Sequence, residues 1–399
     1  MTEASVRSDS PSPNRVLLVL MLAACAAWLG LASVSVAPNR IVPGTAYLAA
    51  EAVGWPLALA GCLPMLAVAG LAWRPDERSL RLSLAVVLGL MMWLPLWLAI
   101  NAMLLIDPDM PQSRLGIGPA VWLLLFLLAL ALIELRTRLA LSRLAGWGLV
   151  VPILVTWALC LAWWLAPLAL VREYQARSAQ FLAAIGHHLA LVGAAVGASL
   201  VLGVALALAM RRHERLERLG FGVLNFLQTI PSLALFGLLL APLAWLSANQ
   251  PWLAALGVSG IGWAPALLAL IAYSLLPMVR NTFVALEGVD PGVIEAARGM
   301  GMSRSQVFLQ VRLPLALPVL LEGVRITTVQ AIGLAAVAAL IGAGGLGTFI
   351  FQGLGQAAMD MVLLGALPIL AMALIADALL GALASRLRDG SLTSPGGAR

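Results

Sequence analysis

DPGVIEAARGMGMSRSQVFLQVRLP, residues 290–314, is a polar, glycine-bearing stretch held between two long apolar runs, 264–286 and 313–341. Its local grammar predicts two short helices. Asp290 is a good N-cap with Pro291 in the first helical position, where a missing N–H costs nothing. Gly299 and Gly301 can end the first helix where a bulky residue could not. Ser303 then caps the second helix with Gln306 three residues on, a capping-box spacing. Pro314 and Pro318 are expected to interrupt or kink the chain as it enters the next apolar run.

Outward from this loop the chain is apolar almost throughout. Of 399 residues, 62% are hydrophobic and only 11% charged. With a mean hydropathy of +1.00, that excludes a soluble globule of ordinary surface. A helix needs roughly 20 apolar residues to cross the hydrocarbon core. Runs at 16–37, 54–73, 82–106, 117–135, 147–171, 185–210, 221–246, 264–286, 313–341 and 361–385 meet that need. The expectation is an all-α membrane protein of about ten transmembrane helices.

All 24 basic residues are Arg. The pI of 10.2 by itself would fit a nucleic-acid or lipid-binding surface, but the positions say otherwise. Arg7, Arg15, Arg74, Arg78, Arg81, Arg136, Arg138, Arg143, Arg211, Arg212, Arg215, Arg218, Arg298, Arg304, Arg312, Arg386, Arg388 and Arg399 fall in alternate connections and the two tails. The other connections hold Arg40, Arg114, Arg172 and Arg177. Short cytoplasmic loops retain positive charge, so both termini are expected in the cytoplasm. Ser35-Val36-Ala37 imitates a signal-peptidase site, yet the run before it is long for a signal peptide and more spans follow.

The sequence turns polar at 172–184, and polar residues and glycines enter the spans beyond it. The expected division is a tail at 1–15, a five-span extension at 16–175, a core at 176–386 with its cytoplasmic loop at 287–312, and a tail at 387–399. Trp55, Trp73, Trp147, Trp245, Trp252 and Trp263 lie near predicted span ends, as anchoring rings do. Cys25, Cys62 and Cys160 sit in apolar runs without metal-ligand spacing. His187 and His188 diverge around a helix, which disfavours a shared metal and suits an interfacial place. Gly342, Gly344 and Gly347 have dinucleotide-loop spacing but follow an apolar helix, so they read as a tight turn or a close helix contact. A phosphate-binding P-loop needs a Lys, and there is none.

Glu295, Ala296 and Ala297, then Gly301 after three residues, then Val311, Leu313 and Pro314 after nine more, resemble the cytoplasmic loop of ABC importer permeases. Only Val311, in place of Ile, departs. Residues 228–234 (QTIPSLA), 276–282 (LPMVRNT) and 339–347 (ALIGAGGLG) are similar to the glycine betaine, carnitine and choline permeases of that class. The resemblance covers roughly 180–385; five extra N-terminal spans would make this a long form. It implies a type I ABC importer permease (MetI-like) core in the C-terminal half. It also implies uptake of a small quaternary-ammonium osmoprotectant, a coupling helix seated on a separate ATPase that holds ATP and Mg, a substrate-binding protein, and a second permease subunit.

Within the spans, Pro231 and Pro277 should free carbonyls and bend their helices beside a pathway. Asn225, Gln228, Thr229 and Ser232 recur around Pro231, and Thr327 and Gln330 lie on the ninth run. They are read as lining the path, with ordinary interhelical hydrogen bonds as the rival. Glu322 and Arg325 can pair on one helix face, as a fixed ion pair or a gate, while Asp377 shows no obvious partner. A permease for another small solute, or an ion-coupled transporter using Asp377 or Glu322, remains the alternative.

Overall fold

A 16-residue helix, α1 (Arg15–Gly30), starts on Asn14, whose side chain accepts from the Leu17 amide at 3.1 Å. The same buried residue donates through its backbone to Ala72 at 2.8 Å and through Nδ2 to Glu134 at 3.0 Å, joining three elements at one end. The structure, a computed structural model, describes residues 12–392 apart from Ile41, Arg74, Pro108 and Pro111. Arg7, Arg74, Arg399 and most of both expected tails lie outside the described residues. The chain divides into two compact units, Met1–Ala176 and Arg177–Arg399.

In the first unit the expected span 16–37 is too long. Its helix stops at Gly30, and Ala32–Ala37 forms strand β1. The reason is visible in ASVSVA: Ser and Val alternate with period two, and β-branched residues pack well on a pleated surface. β1 pairs antiparallel with β2 (Thr45–Leu48) and β3 (Arg114–Ile117), in the order β2-β1-β3. The all-α expectation therefore gains a small sheet. The remaining elements are α2 (Ala49–Val53), α3 (Trp55–Leu71), α4 (Glu77–Leu105), α5 (Pro119–Arg138), α6 (Arg143–Trp163) and α7 (Ala169–Ala176). α6 ends at Trp163, eight residues short of the expected 171. Trp28, Trp93 and Trp97 form the aromatic heart of this unit, with ring centroids 4.8–5.4 Å apart. Trp28 Nε1 donates to the Ala58 carbonyl at 2.9 Å.

The second unit contains α8 (Ser178–Met210), α9 (Glu214–Thr229), α10 (Ser232–Asn249), α11 (Pro251–Ala255), α12 (Trp263–Glu287), α13 (Pro291–Gly299), α14 (Arg304–Gln306), α15 (Leu313–Val337), α16 (Gly347–Gly355) and α17 (Met359–Leu392). The long helices α8, α12, α15 and α17 make its bundle. α12 lies against small residues on both neighbours. A Cβ on Gly203 of α8 would come within 2.7 Å of Met278, and one on Gly323 of α15 within 2.5 Å of Asn281. Such small residues let membrane helices approach closely. The expected run 221–246 is broken at Ile230-Pro231 into α9 and α10.

Among the described residues eight helices are long and apolar enough to cross a membrane, while α1 and α3 are shorter apolar helices. The expected ten is thus reached only by adding those two. All six tryptophans named at span ends are exposed, as headgroup anchors are. His188 departs from expectation. It is buried in α8, with Nε2 3.1 Å from the Ile332 carbonyl. Gly342, Gly344 and Gly345 all have φ between +77° and +79°, which makes the tight turn after α15.

Candidate functional site

The hairpin that follows α12 is built from its caps. Asp290 accepts from the Gly292 amide at 2.8 Å and starts α13. Its far end closes with paired bonds, Gly301 N–H to Arg298 and Met302 N–H to Ala297, at 2.9 and 3.2 Å. That is the Schellman arrangement, which needs a left-handed residue after the cap. Gly301 supplies it with φ +85°. A Cβ there would meet no atom of the chain within 4 Å, so conformation rather than crowding demands glycine.

α13 has two unlike faces. Ile294 and Ala297 turn inward onto Ala285, Leu286, Val289, Val307, Ala316 and Leu320, while Glu295 and Ala296 are exposed. Ala297, only 2% exposed, therefore offers nothing to a partner. Its size lets α13 lie close on its own bundle. Val311 packs on the same cluster, Leu313 is half-buried and Pro314 exposed.

The second short helix is not separate. Ser303 and Gln306 form both halves of the capping box, Ser303 N–H to Gln306 Oε1 at 2.8 Å and Gln306 N–H to Ser303 Oγ at 3.4 Å. The chain then passes through a π-turn, Val307–Arg312, directly into α15. Pro314 has no N–H for the carbonyl four residues back, and its ring crowds that turn. A wider turn, with Leu313 N–H reaching Phe308, absorbs it without a break. α13 and the start of α15 are thus one packed piece.

A second cluster surrounds the two prolines. Pro277 leaves the Tyr273 carbonyl without its helical donor, and Gln228 Nε2 fills the place at 2.6 Å. In exchange, the Tyr273 hydroxyl donates to the Ile230 carbonyl, where α9 ends before Pro231. Tyr273 was not singled out by sequence; its position four before Pro277 was the available signal. Asn225 and Thr229 are exposed on α9, and Ser232 is half-buried at the start of α10. Thr229 Oγ1 donates back to Phe226 at 2.7 Å. Gln330 is half-buried, but Thr327 is fully buried, so it does not line an open path in this conformation.

Asp377 has a partner after all. Arg325 donates from Nε and Nη2 to its two carboxylate oxygens at 2.6 and 2.8 Å, and from Nη1 to Glu322 at 3.2 Å. The expected pair on α15 is a three-residue cluster that ties α15 to α17. Gly381, one turn beyond Asp377, makes room: a Cβ there would lie 3.2 Å from the guanidinium. Two carboxylates against one guanidinium leave the cluster with one surplus negative charge.

Residues 199–389 match the family described as the binding-protein-dependent transport system inner membrane component. Residues 13–171 match the N-terminal domain of the ABC transporter permease YehY. The osmoprotectant import permease protein OsmW of Salmonella typhimurium is 42% identical over 209 residues, 52% of this chain and 92% of its own. The chain belongs to the binding-protein-dependent transport system inner membrane components. As a permease subunit of an ABC importer it is not an enzyme; a separate subunit hydrolyses ATP, and a binding protein brings the solute. It is a multi-pass protein of the inner membrane. The glycine betaine/carnitine/choline transport system permease protein OpuCB of Bacillus subtilis is 33% identical, over 51% of this chain and 86% of its own. A solved inward-facing methionine ABC transporter, MetNI, is 21% identical, covers 52% of this chain and 96% of its own, and has a TM-score of 0.46.

Proposed function

We propose that this permease carries a small quaternary-ammonium osmoprotectant of the glycine betaine or choline type into the cytoplasm, driven through α13 by a partner ATPase that holds ATP and Mg. The carrying observation is the construction of α13: Glu295 and Ala296 are exposed while Ile294 and Ala297 anchor the helix to α12 and α15. A push on that exposed face reaches the bundle rather than bending a loop. The substrate class is supported by the relatives, one named for osmoprotectant import and one for glycine betaine, carnitine and choline.

The Arg-rich connections, among them Arg211 to Arg218 and Arg298 to Arg312, face the cytoplasm with both termini. A second permease subunit completes the path. Asn225, Gln228, Thr229, Ser232 and Gln330 border it when it opens, and the Pro231–Pro277 region with the Arg325 cluster acts as its gate. Cells with and without this chain are given labelled glycine betaine and choline after an osmotic upshift; equal accumulation removes the substrate class. Gly301→Asp is expected to remain in the membrane fraction while uptake and ATPase co-purification fall to background. Normal uptake by that variant would overturn the coupling role of α13.

A further inference from the structure

Arg280 is an exposed charge inside a spanning helix, and it forms no ion pair among the described residues. Glu287, the last residue of α12, lies about 10 Å further along the axis. A guanidinium at that depth is costly in lipid, so such a charge faces the bundle interior, a watery cavity or a partner. Its neighbours say where it faces. Val279 and Phe283 pack on α9, with the Phe283 and Phe221 rings in edge contact at 5.6 Å. Asn281, on the other side, meets Gly323 of α15 so closely that a Cβ on the glycine would lie 2.5 Å away. Arg280 therefore rises between α9 and α15, on the floor of a furrow. Tyr273 and Pro277 continue the same strip of α12, which leads to the Gln228 bond.

Glu322 stands on the α15 wall of that furrow at the same depth. α12 and α15 run antiparallel: Ala285 and Leu286 share a cluster with Ala316 and Leu320, while Leu270 shares one with Ala331 and Ile332. Residues that immediately precede a contact point leave two antiparallel helices on the same side. Arg280 and Glu322 thus flank the Asn281–Gly323 contact on one face. Arg325 is held by both oxygens of Asp377, which leaves Glu322 as the surplus charge of its cluster. The Glu322 side chain is 42% exposed, and only its Oε2 accepts from Arg325. One face of the spans therefore presents a guanidinium and a carboxylate that are not spent on each other. Its complement is a zwitterion, with a carboxylate for the guanidinium fork and a quaternary ammonium for Glu322. A plain cation such as choline matches only the second half.

We propose that Arg280 and Glu322 form a zwitterion site on the translocation path, Arg280 taking the carboxylate of the solute and Glu322 its quaternary ammonium. The site rests on the quaternary-ammonium import proposed above and narrows it to betaine-type solutes. Uptake of labelled glycine betaine and of choline by cells carrying the whole importer tests it, with the amount of chain in the membrane fraction as the control for folding. Arg280→Gln should lower the ratio of glycine betaine to choline uptake about tenfold, the worth of one lost charge-assisted hydrogen bond. Arg280→Lys keeps the charge without the fork and should fall between that variant and wild type. Glu322→Gln should lower uptake of both solutes, since both carry the ammonium. If Arg280→Gln lowers both alike, Arg280 serves the fold, a lipid headgroup or the second permease subunit, and the site is overturned. Unchanged uptake of both solutes by Arg280→Gln overturns it equally. Wild-type cells that gain neither solute remove the substrate class itself, and the site falls with it.

Discussion

Gln228 and Tyr273 show how a single missing proton donor organises two helices. A backbone carbonyl in hydrocarbon has no water to turn to, so the oxygen that Pro277 strands must find a side chain. Gln228 is that side chain, at 2.6 Å, and Tyr273 repays the bond at Ile230. The arrangement makes a quantitative expectation. Gln228→Leu should cost about 1–3 kcal/mol, the penalty for an unsatisfied buried acceptor. Pro277→Ala restores a helical N–H to the Tyr273 carbonyl, and in that background the same Gln228→Leu change should cost under about 1 kcal/mol. A double-mutant cycle on thermal unfolding in detergent reads the difference. Simple additivity of the two changes would show that Gln228 does not serve the carbonyl that Pro277 vacates. At this scale the sequence was informative wherever the chemistry is local. Asp290, Gly301, Ser303 and Gln306 each do what their position within the loop demands, because caps and turns involve neighbours a few residues away. The partner of Asp377 lies 52 residues back at Arg325, and no local rule could name it.

At the scale of elements, two misreadings share a cause: hydropathy is insensitive to period. The run 16–37 is apolar throughout, yet ASVSVA alternates and pairs with Thr45–Leu48 and Arg114–Ile117 as a strand. The run 221–246 is apolar too, yet Ile230-Pro231 divides it. The hairpin erred the other way, since prolines 314 and 318 suggested a break that the π-turn at Val307–Arg312 removes. Between α15 and α17 the decisive contact is electrostatic. Arg325 holds Asp377 by two bonds and lies flat against Gly381. Arg325→Met would leave two carboxylates within the spans without their counter-ion, a loss on the order of 2–3 kcal/mol for a charge at mid-membrane depth. Adding Asp377→Leu removes one of those stranded charges and should recover part of the loss, as happens when both partners of a pair are replaced by apolar groups. Thermal midpoints of the two variants decide the matter: a double variant less stable than Arg325→Met would mean that the cluster does not stabilise the α15–α17 contact through charge pairing.

The molecule comprises two compact units, each with an apolar core of its own. The apolar cluster of the first unit draws only on residues 17–171, and the clusters that carry α8, α12, α15 and α17 draw only on residues of the second. The relative from Salmonella typhimurium matches 52% of this chain with 92% of its own length, so the permease half occurs there without the extension. A fragment of residues 177–399 is therefore expected to insert and to retain ATPase in co-purification. Orientation is the severest requirement, because removing the first unit leaves α8 as the leading span. Its own flanks meet that requirement. Arg211, Arg212, Arg215 and Arg218 follow α8 immediately, and positive charge within a short distance of a span end is retained on the cytoplasmic side. The fragment should thus enter with residue 177 outside and Arg211 inside, placing α13 where a cytoplasmic ATPase can reach it. Membrane fractionation, protease protection of an N-terminal tag and ATPase co-purification measure the three steps in turn. A fragment that inserts with its tag protected inside would show that the first unit sets the orientation of the second, and that the arginines after α8 do not suffice.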